Sequence, residues 1–568
     1  MPRPRYFFFE EGKGMVLKGT RNGLDIWPLW PAVVTVFATL ILISALPVCA
    51  KELQGAWLAG DFHQHTTYTD GSTSFESVMQ ISDAFGLDWW ANSEHGGSRS
   101  HDGERHRWTD PAYYPTNPIL GDVTGNPQVM WRWQSLRDFV FPNLVRSRAL
   151  YPKRRIFSGL EWNVPGHEHC STGIVADDAG AISAFEFQFD KSDADRSRIG
   201  ELTPYGQLVK ANKTHADAVA ACQWMQQQYK AGTISGGWII FAHVERAGVW
   251  SGSGGGYNIE NFRDFNNAAP DICFGFEGAP GHQANHVDRG GFGTGAVGGG
   301  TYGGVGIYTA AVGGLWDALL GEGRRWFVFA NSDYHKHWTD CTDPARPSTC
   351  GDDFYPGEYH KTYVHVVDKN RDGSYSLDEI ADGMRSGSVY FVHGDLINAL
   401  EFKAGTRFQE VSMGGELTIE ARRRARDPLV IIIKFKSPAV NNHGDTPVVD
   451  HIDLIAGRIT GNVAPTSPDY TKAVNESTRV IATFTAADWH TDSQGYHVIR
   501  YRIRDLDHST YFRLRGTNLA PNTPNETDEF GNPLADRLID TSAAPVAQAK
   551  AAQVDLWFYS NPIFVCLK

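Results

Sequence analysis

Short apolar runs recur through the first part of the chain, and each leads into histidine, aspartate or glutamate. Trp57–Phe62 precedes His63-Gln64-His65, and Leu87–Ala91 leads to Glu94-His95. Arg155–Leu160 ends on Glu161, followed by Gly166-His167-Glu168-His169. Gly237–Ala242 ends on His243, and Trp326–Ala330 leads to Asp333-Tyr334-His335. Runs of this length read as buried strands. Phe75–Phe85, Gln134–Ala149, Ala216–Ala231 and Thr309–Leu320 lie between them and are long enough for helices. The alternation predicts parallel βα units. In a βα barrel the strand C-termini converge on one face, where active sites sit. After about Asn398 the pattern changes to short apolar alternations separated by turn residues. These are Glu416–Ala421, Leu429–Phe435, His451–Ile455, Thr478–Thr485, His497–Arg504 and Val554–Phe558. They predict an antiparallel, β-sandwich-like domain over residues 399–568.

The residues at the run ends are of metal-ligand type. Side chains at i and i+2 of a strand share one face, so His63 and His65 can meet one ion. Asp70, before Gly71, offers a carboxylate to the same mouth. Imidazole with carboxylate suits zinc, manganese or iron. Another apolar run, Ile272–Phe276, is followed by Glu277 and His282, candidates either to touch substrate or to fix their own loop.

In combination these motifs resemble the PHP (polymerase and histidinol phosphatase) family from about Trp57 to about Asn398. His63-Gln64-His65-Thr66 with Thr69-Asp70-Gly71 matches the first motif, and Gly159-Leu160-Glu161 the third. His243 matches the fourth, and Ser332-Asp333-Tyr334-His335 the last. Ser93-Glu94-His95 stands where the family has Thr-Asp-His, a departure at the middle residue. The resemblance implies a distorted seven-stranded barrel over residues 51–398 holding two or three divalent metals. Carried over by position, His63, His65, Glu161 and Asp333 hold the first metal. Glu161 bridges to a second, with His243 and either His169, the favoured choice, or His167. Asp70, His95 and His335 hold the third. Glu161, Asp333 and His335 then stand closest to the chemistry. The implied activity is phosphoric ester hydrolysis, of monoesters or diesters, by a metal-bridging hydroxide. Three divalent ions outweigh Asp70, Glu161, Asp333 and a hydroxide by about two charges, which favours a small anionic substrate such as a phosphate ester. The alternatives are a secreted binding or surface protein with structural metals, and a hydrolase of a non-phosphate ester or amide.

At 568 residues the chain is long enough for two or three domains. Its net charge of -13 argues against a general nucleic-acid surface. Residues 1–50 carry a targeting pattern: Arg3, Arg5, Lys13, Lys18 and Arg21, then 25 uncharged residues from Ile26 to Ala50. Val48-Cys49-Ala50 is a small-residue cleavage signature, so the chain is expected to be exported, either periplasmic or secreted. An uncleaved segment would anchor it to a membrane instead. Cys341 and Cys350 flank a polar loop just after His335, a spacing that suits a disulfide in an oxidising compartment. Finally, residues 368–379 follow the calcium-loop pattern, with Asp368, Asn370, Asp372, Ser374, Ser376 and Glu379 as oxygen ligands. A strand-like run precedes that loop, so it would be a strand-loop-helix calcium site rather than a full EF-hand. The competing reading is a polar turn with a helix N-cap.

Overall fold

A computed structural model describes residues 55–343, 345–420, 428–536 and 546–568. The leader or anchor expected over residues 1–50 lies outside the described residues. Among the described residues, no helix is long and apolar enough to cross a membrane.

The apolar runs form strands β1 (Gly55–Asp61), β2 (Trp89–Ala91), β3 (Arg155–Asn163), β4 (His169–Val175), β5 (Gly236–Phe241), β6 (Gly275–Ala279) and β7 (Phe327–Ala330). They lie side by side in the order β7-β6-β5-β4-β3-β2-β1. β1, β2 and β3 run parallel, as do β5, β6 and β7. Strands of this kind are covered on both faces and need apolar residues almost throughout. Every residue of β5 and β7 is accordingly buried. The expected strict βα alternation is broken once: β4 runs antiparallel to both its neighbours. The link from β3 to β4 spans only residues 164–168, too short for a parallel crossover.

The ends of this seven-strand run meet just beyond β1 and β7. Gln64 and Tyr334 form an isolated parallel bridge, and the His65 amide donates to the Tyr334 carbonyl at 2.8 Å. Asp61 accepts from the Ser332 amide at 3.0 Å.

The intervening helices are α1 (Phe75–Ala84), α2 (Phe141–Leu150), α3 (Gly180–Phe189), α4 (His215–Ala231), α5 (Ile259–Ala268) and α6 (Leu315–Gly321). α4 has strong local signals at both ends. Thr214 and Asp217 form a capping box, and Gly232 ends the helix at φ 73°. The single helix expected over Thr309–Leu320 is two pieces, Ile307–Ala310 and α6. Gly313, at φ 81°, interrupts it, and the Asp317 carboxylate takes the Gly313 amide at 2.7 Å.

Beyond β1 the sheet continues through antiparallel β8 (His360–Val367) and β9 (Val389–His393), with α7 (Leu377–Ser386) between them. The remaining strands are β10 (Ala399–Gly405), β11 (Glu410–Ser412), β12 (Glu416–Ile419), β13 (Leu429–Lys436), β14 (His451–Arg458), β15 (Arg479–Thr485), β16 (His490–Thr491), β17 (His497–Ile503), β18 (Thr510–Thr517), β19 (Trp557–Ser560) and β20 (Ile563–Leu567). A further helix, α8 (Val546–Val554), precedes β19, so the run expected as a strand from Val554 starts at Trp557 instead. β9 pairs with β19, and the path goes on through β18, β14 and β15; β12 and β20 complete a mixed sheet of 15 strands. A separate antiparallel sheet has the order β11-β10-β13-β17-β16. β13 alternates buried and half-buried residues, as a strand with one covered face does. Ile431, Ile433 and Phe435 of β13 share a core with Ile452 and Leu454 of β14 and Phe512 and Leu514 of β18. The molecule is thus a mixed α/β protein in which one large sheet crosses the sequence position, near Asn398, where the pattern changes.

Candidate metal centre

The expected ligands gather at one edge of the seven-strand run. His63 and His65 lie just past β1, His95 past β2, His243 past β5, and Asp333 and His335 past β7. Glu161 lies near the C-terminal end of β3, and Asp70 lies in the loop before α1. His169 is the first residue of β4. Because β4 is antiparallel, its start comes to the same edge, opposite Asn163. Local backbone helps to aim the side chains. His243 (φ 50°), Asp333 (φ 44°) and His282 (φ 56°) occupy the left-handed region, which non-glycine residues adopt at some cost.

Glu161 stands in the middle. Its Oε1 lies 2.8 Å from His169 Nδ1 and 3.1 Å from His243 Nε2. Its Oε2 lies 2.8 Å from His95 Nδ1 and 3.2 Å from His65 Nε2. Asp333 faces the same space: Oδ1 is 3.1 Å from His63 Nε2 and 3.3 Å from His65 Nε2, and Oδ2 is 3.3 Å from His243 Nε2. Asp70 Oδ2 is 3.1 Å from His95 Nε2, and its Oδ1 is 3.6 Å from His335 Nε2. Three sets of donor atoms lie within 4.8 Å of one another: His63/Glu161/His243/Asp333, His95/Glu161/His169 and His65/Asp70/His95/His335. These sets use the residues the resemblance implies. His65 groups with Asp70, and His243 joins His63. His65 also reaches the buried group, its Nε2 lying 3.1 Å from His63 Nε2.

The donor set fits divalent metals. Glu161 Oε2 and both Asp333 carboxylate oxygens are buried without a hydrogen-bond partner, as are His65 Nδ1 and His243 Nδ1. Buried polar atoms are normally paired, so such a concentration points to a missing partner. Burial alone would raise the Glu161 carboxyl, but the surrounding imidazoles, His95 foremost, hold it well below the usual range. Burial likewise would raise Asp333, and His63 leads the groups that hold it down. Burial, with Arg246 adding to it, pushes His243 down to about 3, and burial with His65 brings His335 to about 4. A neutral imidazole has the free lone pair that a metal requires. His63 and His95 shift the other way: against the effect of burial, Asp333 leads in raising His63, and Glu161 leads in raising His95 to about 10.

The centre gathers the donor residues that the motif resemblance implies. Its ligand order along the chain, and the one glutamate shared between two sets, are those the motif resemblance implies. No family model matches the chain, and no curated protein matches it. Among solved structures it is similar to a two-domain protein containing a predicted PHP-like metal-dependent phosphoesterase from Bacteroides vulgatus. That likeness has 13% sequence identity and a TM-score of 0.28, covering 86% of this chain and 98% of the other. It is too slight to argue from, and the reading rests on the donor geometry.

Supporting residues complete the centre. Glu277 Oε1 lies 2.7 Å from His63 Nδ1, so this candidate substrate contact instead orients an imidazole, as carboxylates commonly do behind metal-bound histidine. His282 reaches the cluster, with Nε2 2.8 Å from Asp333 Oδ2 and Nδ1 2.6 Å from Asp353 Oδ1. His167 turns away: it bonds to the Gly256 carbonyl and to His215, which leaves His169 at the centre. Glu94, the departure from the family motif, enters none of the convergent groups. It accepts from the Thr66 hydroxyl at 2.5 Å and the Thr69 hydroxyl at 2.7 Å, and so shapes the turn that carries Asp70. Sequence reasoning missed Asp353, which takes the His335 and Lys336 amides at 2.6 and 2.9 Å. Its only signal was an acidic pair, Asp352-Asp353, beside Cys350.

Two further expectations fall outside the centre. Cys341 and Cys350 are disulfide-bonded, with Cα atoms 3.9 Å apart, and Cys170 and Cys273 are buried free thiols. Among the described residues, the calcium-loop carboxylates form no group of three converging donors. Glu379 accepts from the Lys369 and Ser376 amides as part of an α7 capping box, and Asp368 accepts from the Gly373 amide. Asp372 bonds Ser374, and Asp368 Oδ1 is buried without a hydrogen-bond partner.

Proposed function

We propose that this protein is an exported, metal-dependent phosphoesterase acting on a small anionic phosphate ester. The observation that carries the reading is the convergence of eight expected ligand residues around a ninth, Glu161, with buried carboxylate oxygens left unpartnered. We read the seven-strand run, drawn together at Gln64 and Tyr334, as the distorted barrel that frames the site. His63, Glu161, His243 and Asp333 form the buried floor and would hold one ion; His95 and His169 with Glu161, and His65, Asp70, His95 and His335, would hold the others. Zinc, manganese or iron bound there would supply Lewis acidity and an activated water at neutral pH.

The chain's own residues set what can enter. The floor is closed, whereas Asp70 is 41% exposed and His335 22% exposed, so substrate approaches over these two. Arg99 lies 3.7 Å from Asp70, and Arg246 is paired with Glu168 at 3.0 Å. These cations favour an anion at the rim. Glu277 fixes the His63 ring from behind, and Asp353 fixes His282 and the His335 backbone. The Cys341–Cys350 disulfide supports an oxidising compartment, in keeping with the leader-like pattern of residues 1–50.

The test is elemental analysis of purified protein, followed by a panel of phosphomonoesters and phosphodiesters after chelation and metal restoration. Activity that follows metal content is expected. A fully metallated protein that is inert on both ester classes overturns the assignment.

A further inference from the structure

The segment Gly166–His169, which delivers His169 to Glu161, is held from outside the metal centre. Each of its four carbonyls has a side-chain or backbone donor. Trp250 Nε1 donates to Gly166 O at 3.1 Å, and Lys191 Nζ to His167 O at 2.5 Å. The Tyr257 hydroxyl lies 2.7 Å from Glu168 O and 3.1 Å from His169 O, and the Ala242 amide also donates to His169 O. His167 anchors this segment. Its ring is stacked between Tyr257 at 4.7 Å and Trp250 at 5.3 Å. Its Nδ1 faces the Gly256 carbonyl at 3.0 Å and must donate there, which leaves Nε2 as an acceptor.

A hydrogen-bonded line then runs outward from His167 Nε2. His215 Nδ1, at the first residue of α4, lies 2.8 Å away. His215 Nε2 faces Asp264 Oδ2 of α5 at 3.1 Å. The Tyr470 hydroxyl donates to Asp264 Oδ1 at 2.7 Å and accepts from Asn267 Nδ2 at 3.1 Å. Tyr470 belongs to the C-terminal part of the chain. Its turn is docked by Arg263 of α5, whose guanidinium bonds the carbonyls of Asp469, Tyr470 and Lys472.

We propose that His167, His215, Asp264 and Tyr470 act as a positioning brace that fixes where His169 stands, and so sets the affinity of the metal position His169 serves. None of the four is a metal ligand or a catalytic residue. The C-terminal half thereby acts on the centre through a side chain remote from it in sequence. The affinity part rests on the metal reading above; the positioning part does not.

The experiment uses the full-length protein and two readouts. Zinc binding is followed by competition with a chromophoric chelator in wild type, His169→Ala, Asp264→Ala, Asp264→Asn and Tyr470→Phe. Amide hydrogen exchange of residues 166–169 is followed in the metal-free proteins. In Asp264→Ala, the zinc equivalent abolished by His169→Ala should bind about 10–100-fold more weakly, with the other equivalents unchanged. Exchange at 166–169 should quicken by about tenfold, the loss of one hydrogen bond's worth of protection. Asp264→Asn keeps an acceptor oxygen for His215 and should stay nearer wild type. If Asp264→Ala does not fold, Tyr470→Phe decides, with a smaller change in the same direction. Unchanged exchange at 166–169 overturns the brace, as does an equal loosening of amides throughout the protein. If wild type takes up no zinc, the metal reading falls, and the exchange result still decides the brace.

Discussion

Glu161 lies within 3.4 Å of five histidines through two oxygens, and no other residue of the centre stands in two donor sets with so little exposure. Replacing it by glutamine keeps the shape and removes the charge. Glu161→Gln should therefore lose more metal and activity than Glu277→Gln, which only frees the His63 ring. We expect a loss beyond about 100-fold for the first and about 10–100-fold for the second. Metal content and turnover measured side by side would check the ranking, and equal losses would contradict it. The convergent donors were legible in the sequence because metal-binding chemistry restricts residue type and strand ends restrict position. Glu277 and Asp353 were harder to read, since a carboxylate behind a histidine carries no spacing rule of its own. A second residue-scale prediction lies away from the centre. Burial, with Asp555 and Asp536 beside it, raises Glu526 to about 8, against the opposing pull of Arg289. The folded protein thus holds this proton more tightly than the unfolded chain, whose glutamate titrates near 4.5. Its contribution to stability is complete below about pH 4.5 and disappears as pH climbs through about 8. Melting temperature recorded from pH 5 to 8.5 should fall less steeply in Glu526→Gln than in wild type.

At the scale of elements, the strand ends were readable and the connections less so. β5 and β7 stand where apolar runs placed them, because a strand covered on both faces is apolar almost throughout. The antiparallel β4 escaped because the sequence shows a hydrophobic run without its direction; only the short link after β3 gives that away. The break between Ile307–Ala310 and α6 was signalled by Gly313-Gly314 within an otherwise helical pattern. In the calcium-like loop the same carboxylates also suit helix capping, and Glu379 takes the Lys369 and Ser376 amides. The Cys341–Cys350 bond braces the loop that returns Asp353 to His335. Denatured but unreduced protein should alkylate at Cys170, Cys222, Cys273 and Cys566, with Cys341 and Cys350 reacting only after reduction. A Cys341→Ser/Cys350→Ser protein should be less stable by about 2–3 kcal/mol on loop-closure grounds. Mass spectrometry and urea denaturation are the respective measurements.

At the scale of the whole molecule, a buried ion pair ties the two halves together. Arg513 of β18 binds Asp317 of α6 through two hydrogen bonds, at 2.8 and 2.7 Å, with both side chains out of contact with water. Asp317→Ala would leave a buried guanidinium unpaired and should destabilise the protein by about 3–5 kcal/mol. Because the same sheet runs through both halves, chemical unfolding should lower the signals of both together. Two separated transitions would show that the halves melt independently. The change of pattern near Asn398 was legible; the continuation of one sheet across it was not, since strand pairing between β9 and β19 leaves no local trace.

That pairing also has a consequence in time. Val389–His393 has one edge on β8 and the other on Trp557–Ser560, with more than a hundred residues between the two segments. A chain synthesised from its N-terminus at roughly 5–20 residues per second therefore carries a bare, apolar strand edge for on the order of 10–30 s before its partner exists. During that interval the exposed edge can template pairing with another nascent chain. Stalled or truncated products ending between the two segments should aggregate, while the finished chain, with the edge covered, stays in solution.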